Sequence, residues 1–180
     1  FGRLCPTTAE QVRNLLPGFV FILDGGKTRV GIEATIIRLT DRGFQVLRNG
    51  IITREEVEAF VPFDPLPVTE DAAAPGMLKS HYSPGKMLLF ADPQTLRMNL
   101  SKAGLISFSG ELEYGFHKVI RVSEKCDLKE YAVGLFEAMH IFEEDDSVDF
   151  ILAEPVDEKG IGRAIMDRLR KAEHEWRKSL

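Results

Sequence analysis

From Met87 onward the chain alternates short apolar runs with amphipathic helical stripes, and this alternation restricts the fold more than any other feature. Met87 to Phe90, Gly104 to Phe108, Lys118 to Val122 and Val148 to Ala153 read as strands. Between them, Asp92-Pro93 is expected to cap and start a helix carrying Leu96 and Leu100. Asp127-x-x-Glu130 caps the clearest helix, with Leu128, Tyr131, Ala132, Leu135, Met139 and Phe142 on one stripe. Gly160-Ile161-Gly162 opens a last helix with Ile161, Ile165, Leu169 and Ala172 inward. Apolar strands separated by helices imply a parallel, helix-covered sheet. The expectation is an α/β protein with a small Rossmann-like domain over residues 86–180.

The first third has a different texture. Thr7-x-x-Glu10 has capping-box spacing, Val12, Leu15 and Leu16 follow at helical intervals, and Pro17-Gly18 ends the helix. Phe19 to Leu23 reads as a buried strand entering a turn at Asp24-Gly25-Gly26. Val30 to Leu39 and Phe44 to Leu47 flank Thr40-Asp41-Arg42-Gly43, which predicts a β-hairpin. Thr53-x-x-Glu56 opens a helix carrying Val57 and Phe60. Pro62, Pro65, Pro67 and Pro75 then favour extended backbone over helix or sheet, marking a linker that runs on through His81, Tyr82 and Pro84. The expected division is 1–61, a linker over 62–85, and 86–180.

At 180 residues the chain has room for one domain or two small ones with a real core. Cys5 and Cys126 are too few and too far apart for a disulfide framework or structural zinc site, so a reducing cytoplasm is the expected compartment. The four histidines form no metal cluster in sequence, and no run of about 18 apolar residues or signal pattern points to a membrane. The net charge of −5 argues against a broad grip on nucleic acid but leaves room for a local anion site.

Several segments could carry chemistry, each with a plainer alternative. Asp24-Gly25-Gly26-Lys27-Thr28-Arg29 has the parts of an anion cradle or of an ordinary solvated turn. Gly160-Ile161-Gly162 lacks the third glycine of a dinucleotide fingerprint and fits helix entry. The acidic run Glu143, Glu144, Asp145, Asp146 and Asp149 is either a solvated helix end or a metal site. Arg48, at a strand end before Gly50, could reach a phosphate or form a surface ion pair. His81-Tyr82 could close over a nucleotide, or Tyr82 could pin the linker to the domain surface.

Taken together, five segments resemble the long, two-domain threonylcarbamoyl-AMP synthases of the YrdC-like superfamily. They are Gly2-Arg3-x-Cys5-Pro6-Thr7-Thr8-Ala9, Leu23-Asp24-Gly25-Gly26, Val30-Gly31-Ile32-Glu33-Ala34-Thr35-Ile36-Ile37, Val46-Leu47-Arg48-x-Gly50-x-Ile52-Thr53, and Ala74-Pro75-Gly76-Met77-x-x-x-His81-Tyr82-x-Pro84. The stretch from Leu152-Ala153-Glu154-Pro155 to Gly160-x-Gly162-x-Ala164-Ile165-Met166-Asp167-Arg168-Leu169 resembles that family's C-terminal domain.

The resemblance implies an incomplete YrdC-like domain over 1–61, a lid over 62–85, and a Rossmann-like accessory domain. It implies a nucleotidyltransferase condensing L-threonine, bicarbonate (or CO2) and ATP, with Mg2+, into threonylcarbamoyl-adenylate and pyrophosphate, feeding proteins that modify adenosine in tRNA. On that footing Cys5, Thr7, Arg48, His81 and Tyr82 would face ATP, and Ala34 would lie by threonine.

Three residues depart from the family's pattern. Cys5 and Ala34 stand where serine is usual, and Asn49 where proline is common. The family's Lys-x-Arg and Ser-x-Asn segments lie before the motif that begins at Gly2, so the expectation is a cut chain, inactive alone. Its open strand edges would then pair with a second copy or leave residues 1–60 partly disordered. The competing expectation is a non-catalytic nucleotide- or partner-binding module; RNA binding is a third, which the acidic balance disfavours.

Overall fold

A computed structural model describes residues 3–18, 21–68, 74–75 and 81–177. Along them run α1 (Ala9–Leu15), β1 (Ile36–Thr40), β2 (Gly43–Arg48), α2 (Arg54–Glu58), β3 (Met87–Phe90), β4 (Ala103–Ser107), β5 (Lys118–Arg121), α3 (Leu128–Glu144), β6 (Phe150–Ala153) and α4 (Gly162–Arg177).

The four strands of the second half form one parallel sheet in the order β3-β6-β4-β5. Because side chains alternate across a strand, the same runs feed two cores. Leu88, Ile106 and Ile151 pack with Leu135, Met139, Ile165 and Leu169 of α3 and α4. Leu89, Leu105 and Leu152 enter a second core with Leu96, Leu100 and Trp176. All six strand residues are at most 1 % exposed. At roughly 1.5–3 kcal/mol for each buried aliphatic side chain, these layers hold the sheet closed.

The predicted helix after Asp92 is instead two 3-10 turns, Thr95–Arg97 and Leu100–Lys102. Asp92 caps the N–H groups of Gln94 and Thr95 at 2.8 and 2.9 Å. Met98 is extended, however, and Asn99 begins a second cap on Ser101. A helix must propagate well past its first turn to recover the cost of nucleation, and here two caps compete within eight residues. At α3, Asp127 caps as expected, but Glu130 accepts from the Ser123 hydroxyl at 2.7 Å instead of closing a reciprocal box.

In the first third, the cap of α1 is Thr8, one residue later than the spacing predicts. The Thr8 hydroxyl accepts from Gln11 N–H, and the Gln11 side chain accepts from Thr7 N–H at 2.6 Å, so Gln11 replaces Glu10 as the reciprocal partner. The Thr53–Glu56 box forms as read, but α2 stops at Glu58 and leaves Phe60 89 % exposed.

The hairpin turns at Asp41-Arg42 as predicted, with Thr40 opposite Gly43, though its first strand starts at Ile36 and not at Val30. Phe19 and Val20 lie outside the described residues; residues 21–23 form no strand, and Phe21 and Leu23 are exposed. No described strand runs beside them, and a strand without a ladder partner leaves its backbone groups to water.

The proline segment does join a sheet at one point. Phe44 N–H donates to Pro62 O and Asp64 N–H to Phe44 O, so Phe63 bridges to Phe44 beside β2. Residues 69–73 and 76–80 of the expected linker, with Gly76-Met77, lie outside the described residues, as do Phe1 and Gly2.

Two glycines bring the first third onto the parallel-sheet half. A Cβ at Gly31 would fall 2.1 Å from Val133 O of α3, and one at Gly50 2.3 Å from Thr35 N. Only glycine permits both approaches. They press the loop before β1 between α3 and the residues after β2. Among the described residues, no helix is long and apolar enough to cross a membrane, and no group of three His, Cys, Asp or Glu side chains could hold a metal ion.

Candidate functional site

The loop thus pressed into place carries Glu33, and four segments of the chain meet at its carboxylate. Arg48, at the end of β2, donates from Nη1 to Glu33 Oε1 at 3.1 Å. Its Nε donates to Ala34 O at 3.1 Å and Nη1 also to Pro75 O at 3.2 Å. Arg168 of α4, fully buried, donates from Nη2 to Glu33 Oε2 at 3.1 Å. Its Nη1 reaches Asn49 O and Asp167 Oδ2. Glu33 is therefore one anion shared by two guanidinium groups, with side-chain exposures of 23 % for Glu33, 11 % for Arg48 and 0 % for Arg168.

Tyr82 closes the floor of this junction. Its ring is fully buried, 5.3 Å below the Arg168 guanidinium carbon, 5.5 Å from Phe136 and 4.0 Å from the His81 ring. The backbone there is left-handed, with φ 62°, an uncommon conformation for a residue with a side chain. The Tyr82 hydroxyl and the Arg168 Nε are both buried with no hydrogen-bond partner. Burial, and then the facing Glu33 carboxylate, push the Tyr82 phenol above its ordinary range.

Cys5 faces the same carboxylate, and burial followed by Glu33 pushes its thiol up to about 11. That thiol stays protonated near neutrality, a weak donor rather than a nucleophile. His140 of α3 holds the segment through Cys5 O at 3.1 Å.

The structure therefore brings Cys5, Ala34, Arg48, His81 and Tyr82 to one junction. The Ala34 contribution is its backbone carbonyl, and its side chain is exposed. Thr7 is placed differently. Its N–H and hydroxyl are committed to Gln11 and its carbonyl to Thr28 N–H, beside a cleft of about 170 Å³ also lined by Thr8, Asp24 and Gly26.

Residue-by-residue reading missed Glu33 as the centre and Arg168 altogether. Arg168 nonetheless lies three residues after Ile165 and four before Ala172, both inward, so helical periodicity marks it as a charge on a buried face.

Other candidates resolve into structural roles. A cavity of about 480 Å³ is lined by Lys27, Arg121, Lys129, Glu130 and Glu137, among others. Lys27 pairs there with Glu137, and Arg121 with Glu113 and Glu124. In the acidic run, Asp145 accepts from Lys118 at 2.6 Å, and that bond first, then Ser147, holds its carboxyl well below the usual range.

Between β4 and β6 lies the point where the strand order reverses, the usual ligand crevice of an open α/β sheet. Here Glu154 fills it. Its Oε2 accepts from Phe108 N–H at 2.8 Å and Ser109 N–H at 3.0 Å.

Comparison with known proteins gives this geometry a context. Residues 52–173 match the family described as threonylcarbamoyl-AMP synthase, C-terminal domain. Threonylcarbamoyl-AMP synthases of Bacillus subtilis (strain 168) and Pyrococcus abyssi are each 32 % identical, over 95 % of this chain and 54 % of the relative. The chain spans about half the length of these curated relatives.

The crystal structure of P. abyssi Sua5 complexed with L-threonine superimposes with a TM-score of 0.75 at 32 % identity, over 96 % of this chain and 55 % of that one. A P. abyssi Sua5 variant in which a consecutive histidine and tyrosine are both alanine gives 0.74, also at 32 % identity, over 96 % of this chain and 54 % of that one. The present chain has one consecutive His-Tyr pair, 81–82. By the match across 52–173, the chain belongs to the threonylcarbamoyl-AMP synthase C-terminal domain family.

Proposed function

We propose that this chain is the C-terminal part of an L-threonylcarbamoyladenylate synthase. The parent would join L-threonine, bicarbonate or CO2, and ATP into threonylcarbamoyl-AMP with release of pyrophosphate, supplying tRNA-modifying proteins. In this reading residues 1–61 complete a catalytic domain, 62–85 cover its nucleotide, and 86–180 form the accessory domain. The observation that carries it is the junction itself: Arg48, Cys5 and Tyr82 face one anionic position, occupied by Glu33, inside a chain related to synthases.

Each residue then has a physical task. Arg48, held in plane by Ala34 O and Pro75 O, orients the ATP phosphates and stabilises charge on departing pyrophosphate. Tyr82 and His81 exclude water from a hydrolysable carbamoyl-adenylate. Cys5 lines the nucleotide side, threonine lies by Ala34, and Thr7, whose polar groups are taken by Gln11 and Thr28, supports the loop that carries Cys5. Mg2+ would accompany the ATP phosphates. The alternative, a nucleotide-binding module acting through the parallel sheet, would need the crevice where Glu154 now sits.

The test is threonine-dependent pyrophosphate release from ATP and bicarbonate with Mg2+. We expect turnover in the parent protein, loss of about 100-fold or more on Arg48→Ala, and none from the 180 residues alone. Turnover by the isolated chain, or a parent indifferent to Arg48→Ala, overturns the reading.

A further inference from the structure

We propose that Glu33 is an exchangeable internal anion: an incoming polyphosphate takes Arg48 from it, and Glu33 moves onto Arg168 and the Tyr82 hydroxyl, locking the linker against α4. This rests on the reading of Arg48 as a phosphate contact and adds how that contact is controlled.

Three observations carry it. First, Glu33 divides its two oxygens between arginines of unequal mobility. Arg48 is the one with solvent access and lies on the hairpin, whereas Arg168 is buried on α4. An anion arriving from solvent meets Arg48 first. Second, the partners that Glu33 would need after losing Arg48 already lie beside it, with the carboxylate facing the Tyr82 hydroxyl. The Tyr82 hydroxyl and Arg168 Nε are buried without a hydrogen bond, and an unsatisfied buried donor is unfavourable. A shift of Glu33 toward them removes that penalty, so the occupied state gains a bond the empty state lacks.

Third, the exchange links distant segments. Glu33 precedes β1, Tyr82 ends the proline segment, and Arg168 is 135 residues from Glu33. Anion binding at Arg48 would therefore tighten the contact between linker and α4 without any ligand touching α4. Arg168 and Tyr82 act here as positioning residues.

The test is titration of the 180-residue chain with inorganic tripolyphosphate by calorimetry, with unfolding midpoints measured in parallel. Glu33→Gln keeps the shape but removes the competing charge. We expect it to bind tripolyphosphate about tenfold more tightly than the unaltered chain, equivalent to ~1.4 kcal/mol. Tyr82→Phe removes the waiting donor. We expect affinity to fall about threefold with no drop in unfolding midpoint, since a buried hydroxyl without a partner is lost. A purely structural Tyr82 would leave affinity unmoved, and a purely structural Glu33 would make Glu33→Gln bind equally or more weakly; either result overturns the exchange.

Arg48→Ala separates the two levels. If tripolyphosphate binds but ignores that change, Arg48 is no phosphate contact and the functional reading itself fails; if no form binds it, the exchange is overturned. If binding depends on Arg48 but Glu33→Gln brings no gain, only the exchange fails. Should Glu33→Gln not fold, Glu33→Asp serves. The shorter carboxylate reaches Arg48 less well, and tighter binding is again expected, while unchanged or weaker binding again counts against the proposal.

Discussion

Glu154 and Glu33 are both carboxylates at the edge of a strand, yet they are held by opposite means. Glu154, 8 % exposed, accepts two backbone N–H groups from Phe108 and Ser109, just past the end of β4. Those donors are anchored by the strand behind them and cannot turn away. Glu33 is held by two guanidinium groups on flexible stems, from β2 and α4. The crevice of the parallel sheet is thus closed by a rigid internal partner, while the junction is closed by partners that can rotate. The proposed function accordingly puts nucleotide chemistry with the second carboxylate and not the first, although a Rossmann-like sheet invites the reverse assignment.

The largest effect should come from breaking the rigid side. Glu154→Ala strands two backbone donors in a site that Tyr131 and Phe108 wall off, their rings stacked with centroids 5.3 Å apart. At about 1–3 kcal/mol per unsatisfied donor, less whatever water enters, we expect a loss near 3 kcal/mol. For a chain of this size that lowers the unfolding midpoint by roughly 6–12 °C. A loss under about 1 kcal/mol by urea denaturation would mean the crevice is open to solvent, and the contrast with Glu33 would collapse.

Next is Arg168→Met, which keeps the aliphatic volume over Tyr82 and removes the charge. Breaking a fully buried ion pair costs about 3–5 kcal/mol. Glu33 keeps Arg48 and part of its hydration, so about 2 kcal/mol is expected by the same denaturation measurement. A neutral result would show that Asn49 O and Glu33 are satisfied without α4.

How much of this was legible in the sequence follows from which forces are local. The parallel sheet was readable because a strand buried on both faces must be apolar, and Leu88-Leu89 and Leu105-Ile106 state that outright. The Thr53 box was readable because both partners lie within one turn. The 3-10 turns after Asp92 were not, since the contest between the Asp92 and Asn99 caps depends on how far burial extends the first turn.

Phe21 and Leu23 look like core residues in sequence and stand exposed, because burial depends on neighbours that local pattern does not contain. At the junction, Arg48 and His81-Tyr82 stood out from their own positions and Cys5 and Ala34 only by resemblance; Glu33 lay inside a matched motif, but its partnership with Arg168 joins opposite ends of the chain. Tyr82, in a segment whose prolines suggest a surface tether, is in the main core. The sequence alone leaves both readings of it open.

The smallest effect sharpens the contrast by titration. His81 meets the Tyr82 ring edge-on, and burial, then Lys171 and Arg168 acting against Glu33, hold its imidazole below the ordinary 6.5. A base with a depressed folded value binds its proton more readily when unfolded. Its neutral form is therefore compatible with full stability above pH 6.5, and stability is lost as pH falls through 6.5 toward the folded value. Unfolding midpoints taken at about pH 7.5, 6.5 and 5.5 should fall more steeply for the native chain than for His81→Gln. Parallel curves would mean that the imidazole does not feel the junction. Glu33 is the group that opposes the depression, so Glu33→Gln should lower the His81 value further and extend the acid loss to lower pH. The same substitution should leave Glu154→Ala energetics untouched, because sites with no shared partner add independently.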